Sequence, residues 1–200
     1  MPPEGLFEES ADDTRTAIME ATYRALTDYG YADLSIQRIA DEFDKSNSLL
    51  YHHYDGKDDL LVDFLEFTLD HFEGGVSLGD GDSADERLRT LVTALVSANA
   101  ESDEEFVGIV VELRAQAVND PDYRDYFTRS DQFLRDRIAA VVAEGIETGS
   151  FREVDPEQTA SFLVTLANGA MTERITTDAE AVRRVQAELD EYLDARLLAD

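Results

Sequence analysis

In Ser35-Ile36-Gln37-Arg38-Ile39-Ala40-Asp41-Glu42-Phe43-Asp44-Lys45-Ser46-Asn47-Ser48-Leu49-Leu50-Tyr51-His52-His53-Tyr54, residues 35–54, apolar positions recur at helical spacing twice in quick succession. Ile36, Ile39, Ala40 and Phe43 share one face behind Ser35, a residue type that caps helix starts by accepting a backbone N–H. Asp44-Lys45 interrupts the pattern, and Ser46 then caps a very short helix through Ser48, Leu50 and Tyr51. A helix of two turns is unstable alone and must be held by its neighbours. One neighbour lies upstream, where Ile18, Ala21, Thr22, Ala25 and Leu26 stripe a helix that begins near Thr14 and is followed by Gly30. Three helices with a tight turn between the second and third meet the physical requirement of a helix-turn-helix, whose third helix is held at a fixed angle for the major groove of DNA. On this reading Leu50 and Tyr54 face the small core, while Asn47, Ser48 and Leu49 face the groove. There Asn47 suits an adenine edge or a phosphate, Ser48 either, and Leu49 a thymine methyl.

Outward from this head the chain stays helical. The pattern predicts helices over Lys57 to Phe72, Ala84 to Ala100, Glu104 to Val118, Tyr123 to Thr148, Pro156 to Ile175 and Asp178 to Leu198, with Gly74 to Asp82 as a loop and Gly149 as a stop. The expected fold class is all-α, with an N-terminal three-helix helix-turn-helix domain (residues 1–56) joined to a helical body (residues 57–200). In that body Phe162, Leu163, Leu166 and Ala170 form one apolar stripe and Val182, Val185, Leu189, Tyr192 and Leu193 another. Such a pair can meet its symmetry mate in a four-helix dimer interface, with closure of the monomer core as the other use. Phe64, Phe106, Ile109 and Phe127 are core candidates that could also line a cavity, and Glu112, between Val111 and Leu113, could greet a cationic ligand.

Composition removes whole classes of function. Cysteine is absent, which excludes disulfides, thiol nucleophiles and thiolate metal ligands. No glycine-rich nucleotide loop, His-Glu-x-x-His motif or serine elbow is present, so no enzyme activity and no cofactor are expected. His52 and His53 are adjacent and cannot share one helical face, so no metal site is expected; backbone contact suits His52 and partial core packing His53. No stretch reaches the length of a membrane span, and neither export nor membrane insertion is expected. The charge runs against DNA binding: 45 acidic side chains face 17 basic ones, a formal net charge of −28. Acid spread along a chain with 43% hydrophobic residues reads as the coat of a folded protein adapted to high salt. Multimolar salt shortens the Debye length to roughly 3 Å or less and screens most of the self-repulsion.

Taken together, Thr14-Arg15, Ala21, Leu26, Gly30-Tyr31, Ser35-Ile36, Ile39-Ala40, Ser46, Leu50-Tyr51-His52-His53-Tyr54 and Lys57-Asp58-Asp59-Leu60-Leu61 resemble the TetR family of transcriptional regulators. Support continues in Asp120-Pro121, Gly149-Ser150-Phe151, Asp155-Pro156 and Asn168-Gly169. The resemblance implies a DNA-binding head, middle helices around a small-molecule effector, and a last helix pair that makes a homodimer. It further implies DNA contacts from Ser35 and Gln37 at the start of the second helix, from Tyr51 and His52 at the end of the third, and from Lys57 to a phosphate. Three residues depart from the family pattern: Asp44 stands for a turn glycine, Lys45 for an apolar residue, and Leu49 for a small hydroxyl residue. Lys45 can cover the core with its stem and reach DNA with its ammonium. The expectation is a cytoplasmic repressor of a double-stranded DNA operator, released by an effector. The alternative is an all-helical dimeric protein-interaction module that has lost DNA binding.

Overall fold

The computed structural model describes residues 2–3, 5–7, 14–43, 47–75, 83–96, 104–177 and 179–199. They form α1 (Thr14–Asp33), α2 (Ile36–Asp41), α3 (Asn47–His53), α4 (Lys57–Gly75), α5 (Ala84–Val96), α6 (Glu104–Gln116), α7 (Pro121–Glu147), α8 (Pro156–Thr176), α9 (Ala179–Tyr192) and a π-helical turn (Leu193–Leu197). The fold is all-α, with a helix-turn-helix head followed by further helices. Residues 76–82 of the expected loop and residues 97–100 at the expected end of α5 lie outside the described residues.

The chain packs as two units, residues 1–76 with 102–127 and residues 77–101 with 128–200. The first unit extends beyond the helix-turn-helix head. The reason is burial: α4 and α6 give Leu60, Leu61, Phe64, Leu65, Ile109 and Leu113 to the same core as Ile18 and Leu26 of α1, Ile39 of α2 and Leu50 of α3. A three-helix head of this size cannot bury enough apolar surface alone, and these side chains complete it. Phe7 adds to that core from upstream of α1, stacked on Phe67 with ring centroids 6.0 Å apart.

Within the first unit, α1 does not end at Gly30 as expected but bends there and continues to Asp33. Gly30 has φ +64, a conformation that side chains with a β-carbon resist. In the second unit, α5, α8, α9 and the π turn pack around Leu88, Val92, Leu163, Val164, Ala167, Val182, Leu193 and Leu197. Asp155 caps α8 by accepting from Gln158 N at 3.0 Å, and Ser83 and Glu86 form a reciprocal capping box on α5.

Candidate nucleic-acid interface

Ser35 caps α2, its Oγ accepting from Arg38 N at 3.3 Å, as its place before the apolar run requires. This fixes Gln37 in the first turn with its side chain exposed. Tyr51 is half exposed on α3, and its hydroxyl donates to Gln37 Oε1 at 3.0 Å. Gln37 Nε2 in turn donates to Asp41 Oδ1 at 2.8 Å. Gln37 and Tyr51 therefore share one solvent-facing surface of the helix-turn-helix. The amide keeps one N–H and one lone pair for an outside partner, the pair of groups that reads a base edge. Leu50, the fully buried neighbour of Tyr51 on α3, anchors that surface to the core.

Ser48 and His52 are exposed on α3. Leu49 differs from expectation: it is partly buried and packs against the core, so its methyls serve the fold before any thymine. His53 also differs, being exposed rather than partly packed in the core. Lys45 and Ser46, together with Asp44, lie outside the described residues, as does the side chain of Asn47.

The described cations of the head engage partners within the chain. Lys57, expected to hold a phosphate, donates its Nζ to Tyr31 O at 3.1 Å and lies 4.1 Å from the centre of the Tyr31 ring. Arg15 pairs with Asp63 at 2.7 Å, and that hydrogen bond raises its pKa above the ordinary value. Arg38 donates to Asp33 O and lies over the ring of Tyr29, while Arg24 spans Glu20 and the Glu42 carbonyl. Asp63 also accepts from the Tyr54 hydroxyl at 2.5 Å; burial first, then that bond, pushes this phenol well above its usual range. Asp63 thus joins α1, the chain just after α3, and α4. Nothing in residue spacing indicates this role, because its partners lie 48 and 9 residues away.

The effector candidates divide between the core and the surface of the first unit. Phe64, Ile109 and Phe127 are buried in the core of the first unit, and Phe106 packs on its margin. Glu112 is exposed, and its Oε2 accepts from Tyr31 N at 2.9 Å, closing the bend at Gly30. The dimer candidates divide. Leu163, Ala170, Val182, Leu189 and Leu193 are buried inside the second unit and close its own core. Phe162, 47% exposed, lines an open apolar groove of about 410 Å³ with Leu166, Gly169, Val185 and the edge of Ala170. Tyr192 stands beside it, its ring 5.0 Å from that of Phe162.

The family described as bacterial regulatory proteins, tetR family, matches residues 18–64, and the BetI-type transcriptional repressor C-terminal family matches residues 84–198. The chain belongs to the TetR family of transcriptional regulators. A TetR regulator from Haloarcula marismortui superposes with a TM-score of 0.82 at 37% identity, covering 92% of this chain and 97% of that one. A transcriptional regulator from Saccharomonospora viridis, crystallised with choline, shares the fold at a TM-score of 0.78 and 21% identity, covering 93% and 98%. The repressor AcnR of Corynebacterium jeikeium is 25% identical over 158 residues, 78% of this chain and 79% of its own. Membership makes this TetR-family chain a sequence-specific DNA-binding regulator. Among the described residues, no helix is long and apolar enough to cross a membrane.

Proposed function

We propose that this chain is a homodimeric, cytoplasmic repressor that reads an approximately palindromic operator and leaves it when a small molecule binds. The exposed Gln37–Tyr51 pair carries the reading: two side chains of suitable chemistry, on adjacent helices, tied to each other and presented by a buried Leu50. A lone head of this size gains affinity and half-site spacing by duplication, and the groove around Phe162 supplies an apolar face for a second copy. With Lys57, Arg15, Arg24 and Arg38 held by intramolecular partners, phosphate attraction contributes less than in a basic repressor. Groove fit by Gln37, Ser48, Tyr51 and His52, together with the candidates Ser35, Lys45, Ser46 and Asn47, then carries more of the specificity. The net charge of −28 supports a working environment of high salt.

Repression is supported by the repressors among the matches, and a small-molecule effector by the choline held by the Saccharomonospora viridis regulator. The test is selection of bound fragments from the source genome in multimolar potassium chloride, with Gln37→Ala and Tyr51→Ala alongside. Wild-type enrichment of an inverted repeat, lost in both variants while they stay folded dimers, is the expected result. Choline, the ligand held by the Saccharomonospora viridis regulator, is the first effector to add. A folded wild-type dimer that enriches no sequence at any salt concentration leaves the protein-interaction module in its place.

A further inference from the structure

The recognition helix α3 is seven residues long and cannot hold its own direction. Only Tyr54, Asp55 and Gly56 separate it from α4, so the first turn of α4 sets where α3 points. That turn is gripped by side chains from distant parts of the first unit. Lys57 is held on the carbonyl and ring of Tyr31. The next residue, Asp58, receives two hydroxyls on a single oxygen: Tyr31 and Tyr123 each donate to Asp58 Oδ1 at 3.0 Å. Tyr31 follows the bend at Gly30, and its own N–H is fixed by Glu112 of α6. Tyr123 comes from the first turn of α7 and is fully buried.

Tyr123 is chemically more than its position in the core demands. A phenylalanine fills the same apolar volume without a hydroxyl that must find a partner when buried. The hydroxyl is given to a carboxylate 65 residues away, at the turn that aims the recognition helix. Hydrogen bonds to a charged acceptor are the strong ones, and they are directional in a way that apolar packing is not.

We propose that Asp58 is a positioning residue for DNA reading, which uses the Tyr31 and Tyr123 hydroxyls to lock the start of α4, and hence α3, against α1 and α7. This rests on the proposed operator binding and adds the residue through which α7 controls it. Asp58 touches no base, and acts through the angle of α3.

Three variants test it on the operator fragment recovered by selection: Tyr123→Phe, Asp58→Asn and Asp58→Ala. Both substitutions of Asp58 remove the charge, so any electrostatic gain toward DNA is common to them. Only the asparagine retains an oxygen that can accept both hydroxyls. Operator affinity is measured in multimolar potassium chloride, at a temperature where dichroism shows each variant folded. Tyr123→Phe and Asp58→Ala are expected to weaken specific binding on the order of tenfold, and Asp58→Asn to restore most of the loss. Combining Tyr123→Phe with Asp58→Ala should weaken binding no further than Asp58→Ala does, since both remove one interaction. If Asp58→Ala fails to fold, Tyr123→Phe, which keeps the charge and the core, decides alone against wild type. Lower melting temperatures with unchanged operator affinity would make the network merely structural and overturn the proposal. Absence of wild-type binding removes operator reading itself, and this positioning role with it.

Discussion

Phe151 occupies the space that any side chain at Gly145 would need: a β-carbon at position 145 would lie 2.1 Å from the Phe151 ring. The contact follows from the turn that ends α7. Gly149, at φ +76, reverses the chain so that Phe151 N donates to Gly145 O at 2.9 Å and the ring drops back onto the helix. Phe151 then pairs with Leu198 in an antiparallel bridge, flanked by Arg152 N to Leu197 O at 2.7 Å and Ala199 N to Ser150 O at 3.0 Å. Gly145 is thus the slot through which the second unit closes on its C-terminal end.

Gly145→Ala is therefore expected to destabilise the protein by about 1–3 kcal/mol through overpacking, against a helix-propensity gain of about 1 kcal/mol. In a Phe151→Ala background the clash is gone and the same substitution should become stabilising. Denaturant unfolding of the four proteins in high salt measures both signs. A stabilising Gly145→Ala in the wild-type background would mean that Phe151 does not sit against this helix.

Phe162 and Leu189 carry opposite expectations although both belong to the apolar stripes of the last two helices. Phe162 is 47% exposed and Leu189 only 6%. Phe162→Glu should leave a folded chain that no longer pairs, because the charge meets water in the monomer. Leu189→Glu puts an unpaired carboxylate into a packed interior and should unfold the second unit instead. Light scattering with circular dichroism separates the outcomes. A Phe162→Glu protein that stays dimeric would move the interface elsewhere.

These pairs show what can be read from residue order and what cannot. Ser35, Leu50 and Gly149 are legible because capping, burial of a helical stripe and a left-handed stop are local rules acting within a turn or two. Phe162 and Leu163 are not separable, since a broad apolar stripe on α8 serves both the inner core and the outer groove. The packing of Leu49 on the core is not legible because a helix of two turns has too few positions to define its faces. The bond from Lys57 to the Tyr31 carbonyl, across 26 residues, is not legible either. Contacts at such separations depend on how helices cross, which spacing along one helix does not encode.

Three phenols bonded to carboxylates make stability sensitive to alkali. Desolvation, then the bond to Asp58, pushes Tyr31 up to about 12; the same two influences on Tyr54 with Asp63, and desolvation with the Asp58 charge on Tyr123, raise those groups further. An unfolded tyrosine ionises near about 10. The folded state therefore holds these protons more tightly than the unfolded one, so their contribution is intact below pH of about 10 and is lost as pH climbs toward about 12. Denaturation midpoints should be level between neutrality and mild alkali and fall beyond it. Tyr123→Phe should flatten the fall, and a curve of wild-type shape in that variant would count against the assignment.

High salt should stabilise this fold, and the reason lies in the range of its charges. Attractive pairs are short: Arg15–Asp63 is 2.7 Å, Arg24–Glu20 3.0 Å and Arg89–Asp85 2.8 Å. The repulsion behind a net charge of −28 is summed over the whole surface, at separations well beyond contact. A Debye length of about 10 Å at 0.1 M leaves much of that repulsion standing, whereas about 3 Å at 1 M removes it and spares the close pairs. Desalting from multimolar potassium chloride to about 0.1 M should then lower the melting temperature by roughly 10 °C or more, equivalent to about 3–5 kcal/mol for a chain of this length. Sucrose offers the control, since it favours compact states by exclusion without screening charge. If sucrose in dilute buffer restores the lost stability as fully as salt does, screening is not the cause. Operator affinity should follow the same direction over part of the range. Loss of salt favours phosphate contacts in an ordinary repressor, but here it loosens the fold that presents Gln37 and Tyr51, and cations already engaged within the head leave fewer counterions to release. A slope of log affinity against log salt much shallower than that of a basic repressor, with binding lost where the helices melt, is the expected profile. Steep strengthening of binding down to about 0.1 M by a fully folded dimer would show that phosphate contacts dominate after all.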